Sequence, residues 1–125
     1  MAEVTIDFVA RNDDESQWSL VLVEQGPWSA TETNDELRRI QERLYACIDA
    51  AIDGNVAETY PTSAGKSFIV RLDGYNLPDD EVRNFITKFS EGIFELPDYK
   101  NALRNSNYVK SISFEVNLSE ISSDT

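Results

Sequence analysis

The stretch Asn34–Gly54, NDELRRIQERLYACIDAAIDG, has the most regular spacing of apolar residues in the chain. These residues recur every three or four positions along one face of an α-helix: Leu37, Ile40, Leu44, Cys47, Ile48 and Ala51. Thr33 and Glu36 have the spacing of a capping box at its start, and Gly54 suits the left-handed residue that often ends a helix. The sequence therefore predicts a long amphipathic helix that needs a surface on which to bury its apolar face.

Four segments with strand patterns can provide that surface. They are Val4–Phe8, Trp18–Val23, Ser67–Asp73 and Ile112–Leu118. The first and last segments alternate apolar and polar residues, whereas the second is apolar on both faces, which is typical of an interior strand. The polar turn Arg11–Gln17 is short enough to make an antiparallel hairpin of the first two segments, and we expect Gly74 to end the third.

A second helix is predicted to begin after Pro78, where Asp79–Glu81 favours the positive end of the helix dipole. Its apolar face comprises Val82, Phe85, Ile86, Phe89 and Ile93, and a short third helix is predicted over Pro97–Asn105. The element order is ββαβαβ. Because strand–helix–strand crossovers are right-handed, both main helices should pack on one face of a mixed four-stranded sheet. We predict a two-layer α/β (α+β) sandwich, with residues 1–118 as a single domain and residues 119–125 as a polar, disordered tail.

The composition limits the classes of partner. The 125 residues include 23 acidic and 11 basic side chains, which gives a net charge of −12. Such a charge repels phosphate backbones, so nucleic-acid binding is disfavoured; it favours solubility first and, second, docking on a basic protein. No apolar run is long enough to span a membrane, and the start MAEVTIDF lacks the features of a secretory signal. We therefore expect a cytoplasmic protein without a membrane partner.

Most catalytic chemistries lack their usual residues. The chain has no histidine, which removes the commonest general base and the commonest zinc ligand. Its one cysteine, Cys47, lies on the apolar face of the first helix and is expected to be a buried, inert thiol. The segment Ala64–Ser67 ends like a phosphate-binding loop, but Tyr60 stands where that motif needs glycine, and a strand follows instead of a helix. We expect no cofactor, no metal and no catalytic residue of these kinds.

Carboxylates remain as candidate acid–base or ligand-binding groups. Glu24 follows the second strand and Asp73 ends the third, so both would reach the same rim if these strands are parallel neighbours. Trp28 and Tyr75 would lie near that rim, and Arg71 could pair with one of the carboxylates. The simpler interpretation is a surface ion pair. A ligand site would need a concave pocket there and a raised carboxylate pKa.

Two aromatic residues beside prolines, Trp28 and Tyr60, flank the first helix at its two ends. They could be plugs that close the ends of the helix–sheet interface. Alternatively, one of them is an exposed anchor for a partner, because Trp and Tyr dominate binding hot spots.

Four segments of the chain, taken in their order and spacing, form a specific pattern. They are TIDFVARNDD (5–14), LVLVEQGPW (20–28), LRRIQERLYACIDAAIDGNVAETYP (37–61) and AGKSFIVRLDGYNLP (64–78). Together they resemble a family of small bacterial proteins of unknown function, from Val4 to about Phe89. The most specific pieces are Pro27-Trp28, Gln41–Leu44, Tyr60-Pro61 and Gly65-Lys66. The resemblance implies a bacterial, cytoplasmic protein and brings no known catalytic residues with it.

Three hypotheses of function follow. The first is a non-catalytic protein-binding module, similar to an immunity or inhibitor protein, that acts on a basic protein; an exposed aromatic residue beside carboxylates would support it. The second is a small-ligand-binding protein or a carboxylate-dependent enzyme at the strand-end rim. The third is a homodimer formed through an edge strand, most simply Ile112–Leu118. The candidate surface residues for a ligand or partner are Glu24, Trp28, Tyr60, Arg71, Asp73 and Tyr75.

Overall fold

The structure, a computed structural model, describes residues 6–120. The strands are β1 (Phe8–Arg11), β2 (Gln17–Gln25), β3 (Lys66–Tyr75) and β4 (Val109–Ser119). The α-helices are α1 (Thr33–Asp53), α2 (Asn55–Thr59), α3 (Asp79–Gly92) and α4 (Pro97–Asn105). Single turns of 3-10 helix, Pro61–Ser63 and Ile93–Glu95, follow α2 and α3. The predicted third helix over Pro97–Asn105 is confirmed as α4.

The strands form one mixed sheet in the order β1-β2-β3-β4. The β1–β2 hairpin is antiparallel, and β2, β3 and β4 run parallel to one another. The two main helices pack on the same face, since Tyr45 of α1 contacts Phe89 of α3 with ring centroids 5.3 Å apart. Phe89 in turn contacts Phe114 of β4 at 5.6 Å. This is the predicted two-layer sandwich with a mixed four-stranded sheet.

The core lies between this sheet face and the apolar face of α1. Alternate residues of β2 and β3 supply the sheet side: Leu20, Leu22, Phe68, Val70 and Leu72. The helix side comes from the predicted face of α1, including Ile40, Leu44, Cys47 and Ile48. Burial of this many large aliphatic side chains supplies the main driving force for folding.

The start of α1 corrects one prediction, because no capping box forms. The helix begins at Thr33, and no side-chain cap forms at Glu32, the residue before it. The Thr33 hydroxyl donates a hydrogen bond to the carbonyl of Ser29 at 3.0 Å instead. Thr33 is thus already helical, so its side chain faces the preceding turn. The predicted end is confirmed, since Gly54 adopts a left-handed φ of 92°.

The first strand also differs from the prediction. It begins at Phe8 rather than Val4, which lies outside the described residues. Phe8 pairs with Val21 on the sheet face opposite the helices and is 63% exposed. The backbone before β1 is held by a side chain, because Asp7 accepts a hydrogen bond from the Val23 N–H at 2.7 Å. The alternation predicted a half-buried strand that includes Phe8, and the structure places Phe8 on its exposed face.

The ends of the other strands complete the fold. Gly74 does not end β3, because it pairs with both Glu24 and Leu118 inside the sheet. β4 lies at an edge of the sheet and extends to Ser119, and residues 121–125 of the predicted tail lie outside the described residues. Within the part of the chain that is described, no helix is both long and apolar enough to cross a membrane.

Candidate functional site

The predicted rim at the carboxyl ends of β2 and β3 is formed, but its two carboxylates are separated by the sheet. β2 and β3 are parallel neighbours, with Val23 opposite Asp73 and Glu24 opposite Gly74. Successive residues of a strand face opposite sides of a sheet. Glu24 therefore faces the helices, whereas Asp73 faces the side that carries no helix. The two acids share an end of the sheet but not a pocket.

Glu24 is the buried centre of a partly exposed charge network. Its side chain is only 4% exposed and binds two arginines of α1, Arg39 and Arg43. The second carboxylate oxygen of Glu24 accepts a hydrogen bond from Arg39 Nη1 at 2.9 Å. Arg43 also donates to the Val23 carbonyl at 3.1 Å and to the Asp7 carboxylate at 2.9 Å. The network ties the end of β2 and the start of the hairpin to α1.

The electrostatics of this network make Glu24 a stable carboxylate. Burial alone raises the pKa of Glu24, but the hydrogen bonds and charges of Arg39 and Arg43 outweigh it and lower the pKa below its ordinary value. Asp7 follows the same pattern, with burial opposed by the Val23 N–H and Arg43, so that its pKa is also lowered. A general acid needs the opposite shift, and Glu24 does not have it.

The predicted Arg71–Asp73 pair forms on the helix-free face. Arg71 Nε donates to Asp73 at 3.1 Å, and Asn117 of β4 donates to the same carboxylate oxygen at 3.4 Å. Tyr75 lies two residues further along β3 on this face and is half-buried. These three predicted residues are thus close together, and Glu24 and its arginines lie on the other side.

The two aromatic candidates lie at opposite ends of the molecule. Trp28 follows β2 and is half-buried against the core, with a buried Nε1 that has no hydrogen-bond partner in the described part of the chain. Tyr60 lies beyond α1 at the other end, where its ring centroid is 5.7 Å from that of Trp18. Tyr60 is 40% exposed, so it is both a cover for Trp18 and an accessible aromatic surface.

Two clefts lie at the Tyr60 end of the described chain. One cleft of about 260 Å³ lies between β1 and α2 and is lined by Val9, Val56 and Tyr60. Another, of about 500 Å³, is lined by Asp53, Glu58 and Tyr108. This is the end where the parallel strands begin, opposite the predicted rim.

Tyr108 was not predicted as a surface residue. It precedes β4 in a polar segment and is 42% exposed. Its ring lies over Gly54, where an added Cβ would come within 2.8 Å of the ring. Only the fold brings the end of α1 next to the start of β4, so no sequence pattern could reveal this contact. We call Asp53, Glu58, Tyr60 and Tyr108 together the tyrosine surface.

Two further groups bear on chemistry. Cys47 is fully buried, and burial raises the pKa of its thiol to about 12, which keeps it protonated and unreactive. Among residues 6–120, no group of three or more cysteine or acidic side chains is arranged to hold a metal ion.

The fold and its surfaces define a small, acidic two-layer α/β domain with no assembled acid–base pair at its strand ends. The chain belongs to the Family of unknown function (DUF6572), whose model matches residues 2–104. The match extends past Phe89 and includes nearly all of α4. No curated protein and no solved structure matches the chain.

Proposed function

We propose that this domain is a non-catalytic protein-binding module of the bacterial cytoplasm that docks on a basic protein, as an immunity or inhibitor protein does. The observation that carries the proposal is the tyrosine surface. The exposed Tyr108 lines one cleft with Asp53 and Glu58, and the exposed Tyr60 directly follows α2. Exposed tyrosines are typical anchors of interfaces, and neighbouring acids select a basic partner.

The charge of the whole chain supports a basic partner. A net charge of −12 attracts a protein of opposite sign over distances longer than a contact, which speeds the encounter. The tyrosines would then supply most of the affinity, because their rings bury a large area at little cost in side-chain freedom. The acids would mainly set the rate of association and its dependence on salt.

The alternative, a ligand site or enzyme at the strand-end rim, has less support. Glu24 is paired with two arginines, and Asp73 with Arg71 and Asn117, on opposite faces of the sheet. A homodimer through the edge of β4 has weaker support than the basic partner, because two copies of so acidic a chain repel each other.

The test is affinity capture from the extract of the native cell with the wild-type domain and three variants. The variants are Tyr60→Ser with Tyr108→Ser, Asp53→Asn with Glu58→Gln, and Tyr75→Ser. We expect one basic protein to be retained at low salt and released as salt rises. The double tyrosine variant should weaken its binding about 30-fold or more. The double acid variant should bind more slowly and with less dependence on salt.

Tyr75→Ser is the matched control, since it removes the same side chain at the opposite end of β3 and should leave capture unchanged. Circular dichroism of each variant checks that the domain is folded. Loss of the partner with Tyr75→Ser and not with the double tyrosine variant would move the interface to the rim. Capture that is independent of all three variants would contradict the proposal.

A further inference from the structure

A polar cleft beside the tyrosine surface has a charge opposite to that of the rest of the chain. The cleft has a volume of about 460 Å³ and lies where β2 and β3 begin. It is lined by Asn12, Ser16, Gln17, Gly65, Lys66, Ser67 and Lys110. Two of the four lysines in this acidic chain are therefore in one cleft, and none of its lining residues is acidic.

The two lysines are brought together by an irregularity in the sheet. Lys66 pairs with Val109, but the next residue of β3, Ser67, pairs with Ser111. Lys110 is thus the extra residue of a β-bulge, which changes the direction of a side chain relative to a regular strand. Sequence reasoning could not find this pair, because its two members are 44 positions apart and the bulge is not visible in the pattern.

Neither ammonium group is committed to another part of the fold. Within residues 6–120, Lys66 and Lys110 form no ion pair and no side-chain hydrogen bond. Asp14 is close enough to feel the charge of Lys66, but its carboxylate is exposed and is held by the Ser16 hydroxyl and by the Ser16 N–H, which donates to it at 3.0 Å. Both lysines can therefore turn toward a ligand.

Three side-chain oxygen atoms of the cleft already accept hydrogen bonds, and the Ser67 hydroxyl still has a hydrogen to donate. Ser67 Oγ accepts from Ser111 Oγ at 3.0 Å, so its own hydroxyl hydrogen is available. Ser16 Oγ accepts from Asn12 Nδ2 at 3.1 Å, and its own hydroxyl hydrogen is directed to the Asp14 carboxylate. The Asn12 carbonyl oxygen is occupied by the Gln17 N–H at 3.1 Å. A group that only accepts hydrogen bonds and carries negative charge complements such a surface.

We propose that this cleft binds the phosphate group of a small molecule, with Lys66 and Lys110 pairing its charge and Ser67 donating a hydrogen bond. Two ammonium groups match a doubly charged phosphate, for which lysine is a common point-charge partner. The ligand is small, because a long polyanion would leave the cleft and meet the repulsion of a chain with a net charge of −12. This is not a nucleotide-binding loop, since Gly65–Ser67 leads into β3 and not into a helix.

The test is a titration of the isotope-labelled full chain with pyrophosphate, followed by amide NMR at constant ionic strength. Inorganic phosphate and citrate serve as separate probes. We expect saturable shifts at Gly65, Lys66, Ser67 and Lys110 with both phosphates and weaker shifts with citrate. Lys66→Gln with Lys110→Gln should weaken pyrophosphate binding about tenfold or more, the loss expected when charged hydrogen bonds are removed.

The matched control is Lys88→Gln with Lys100→Gln, which removes the same charge from exposed positions on α3 and α4 and should bind as the wild type does. Gln17→Glu adds a negative charge to the cleft at an exposed strand end and should also abolish binding without unfolding the domain. Equal weakening by both lysine pairs, or no saturable shift in the cleft, would overturn the proposal. Citrate binding as tightly as pyrophosphate would overturn its assignment to phosphate.

Discussion

At the scale of single residues, Glu24 shows how strongly a buried charge depends on its partners. The carboxylate is almost fully removed from water, and Arg39 and Arg43 keep it ionised there. Removing one member of a buried ion pair leaves the others without compensation, which costs more than the pair contributes net. The network is therefore a structural feature of the domain.

Glu24→Gln should lower the free energy of unfolding by about 2–3 kcal/mol at pH 7, because both arginines lose their charged partner. Urea unfolding measures this difference. Glu36→Gln is the control: among residues 6–120 the Glu36 carboxylate pairs with Arg39 alone, at 3.0 Å near the surface, and its loss should cost less than about 1 kcal/mol. Equal effects of the two substitutions would contradict the account of the network.

The pH dependence of the same variant follows from the lowered pKa of Glu24. A lowered pKa in the folded protein adds stability above the ordinary value of 4.5, and this contribution is lost as the pH falls through the folded value. The stability gap between wild type and Glu24→Gln should therefore be widest near neutral pH and shrink as the pH falls below the ordinary value of 4.5. A gap that grows on acidification would contradict the assigned direction.

The sequence placed Glu24 and Asp73 at one end of the sheet, and the structure agrees. The sequence could not indicate that Glu24 and Asp73 lie on opposite faces of the sheet, because that depends on the register between β2 and β3. The register pairs Val23 with Asp73 and so puts Glu24 one step out of phase. Arg39 and Arg43, the partners of Glu24, were also not predicted, since they lie on the flank of α1, where charged residues are usually solvated.

At the scale of elements, the helices were predictable where periodicity decides them and less so at their ends. The apolar face of α1 gave its length to within a residue, and Gly54 gave its end. The capping box failed because a side-chain spacing does not determine which residue is the first helical one. α2 was missed because a helix of five residues is too short to have a period.

Replacing each of two glycines at helix ends by alanine should change the free energy of unfolding in opposite directions. Gly54→Ala should lower the free energy of unfolding by about 1–2 kcal/mol, because φ is 92° there and the new Cβ would meet the Tyr108 ring. Gly92→Ala should raise it by about 0.5–1 kcal/mol, since Gly92 is helical with φ of −98° and has open space around it. Chemical unfolding of both variants checks the pair, and the same sign for both would contradict it.

At the scale of the whole molecule, the two ends of the sheet differ in character. The carboxyl-end rim carries ion pairs, whereas the other end carries clefts, two exposed tyrosines and two lysines. The fold class was predictable because element order and crossover handedness allow few topologies. The features at the end where the parallel strands begin were not predictable from the sequence. The residues at that end come from α1, α2 and the starts of β3 and β4, which are far apart in the chain.

The central claim, that the domain docks on a basic protein through the tyrosine surface, is tested most directly by site-specific photo-crosslinking in the native cell. A photoreactive phenylalanine analogue replaces Tyr60, Tyr108 or Tyr75 in turn. We predict that one basic protein is crosslinked from positions 60 and 108 and not from position 75. Crosslinking of a protein only from position 75, or of none from any position, would contradict the claim.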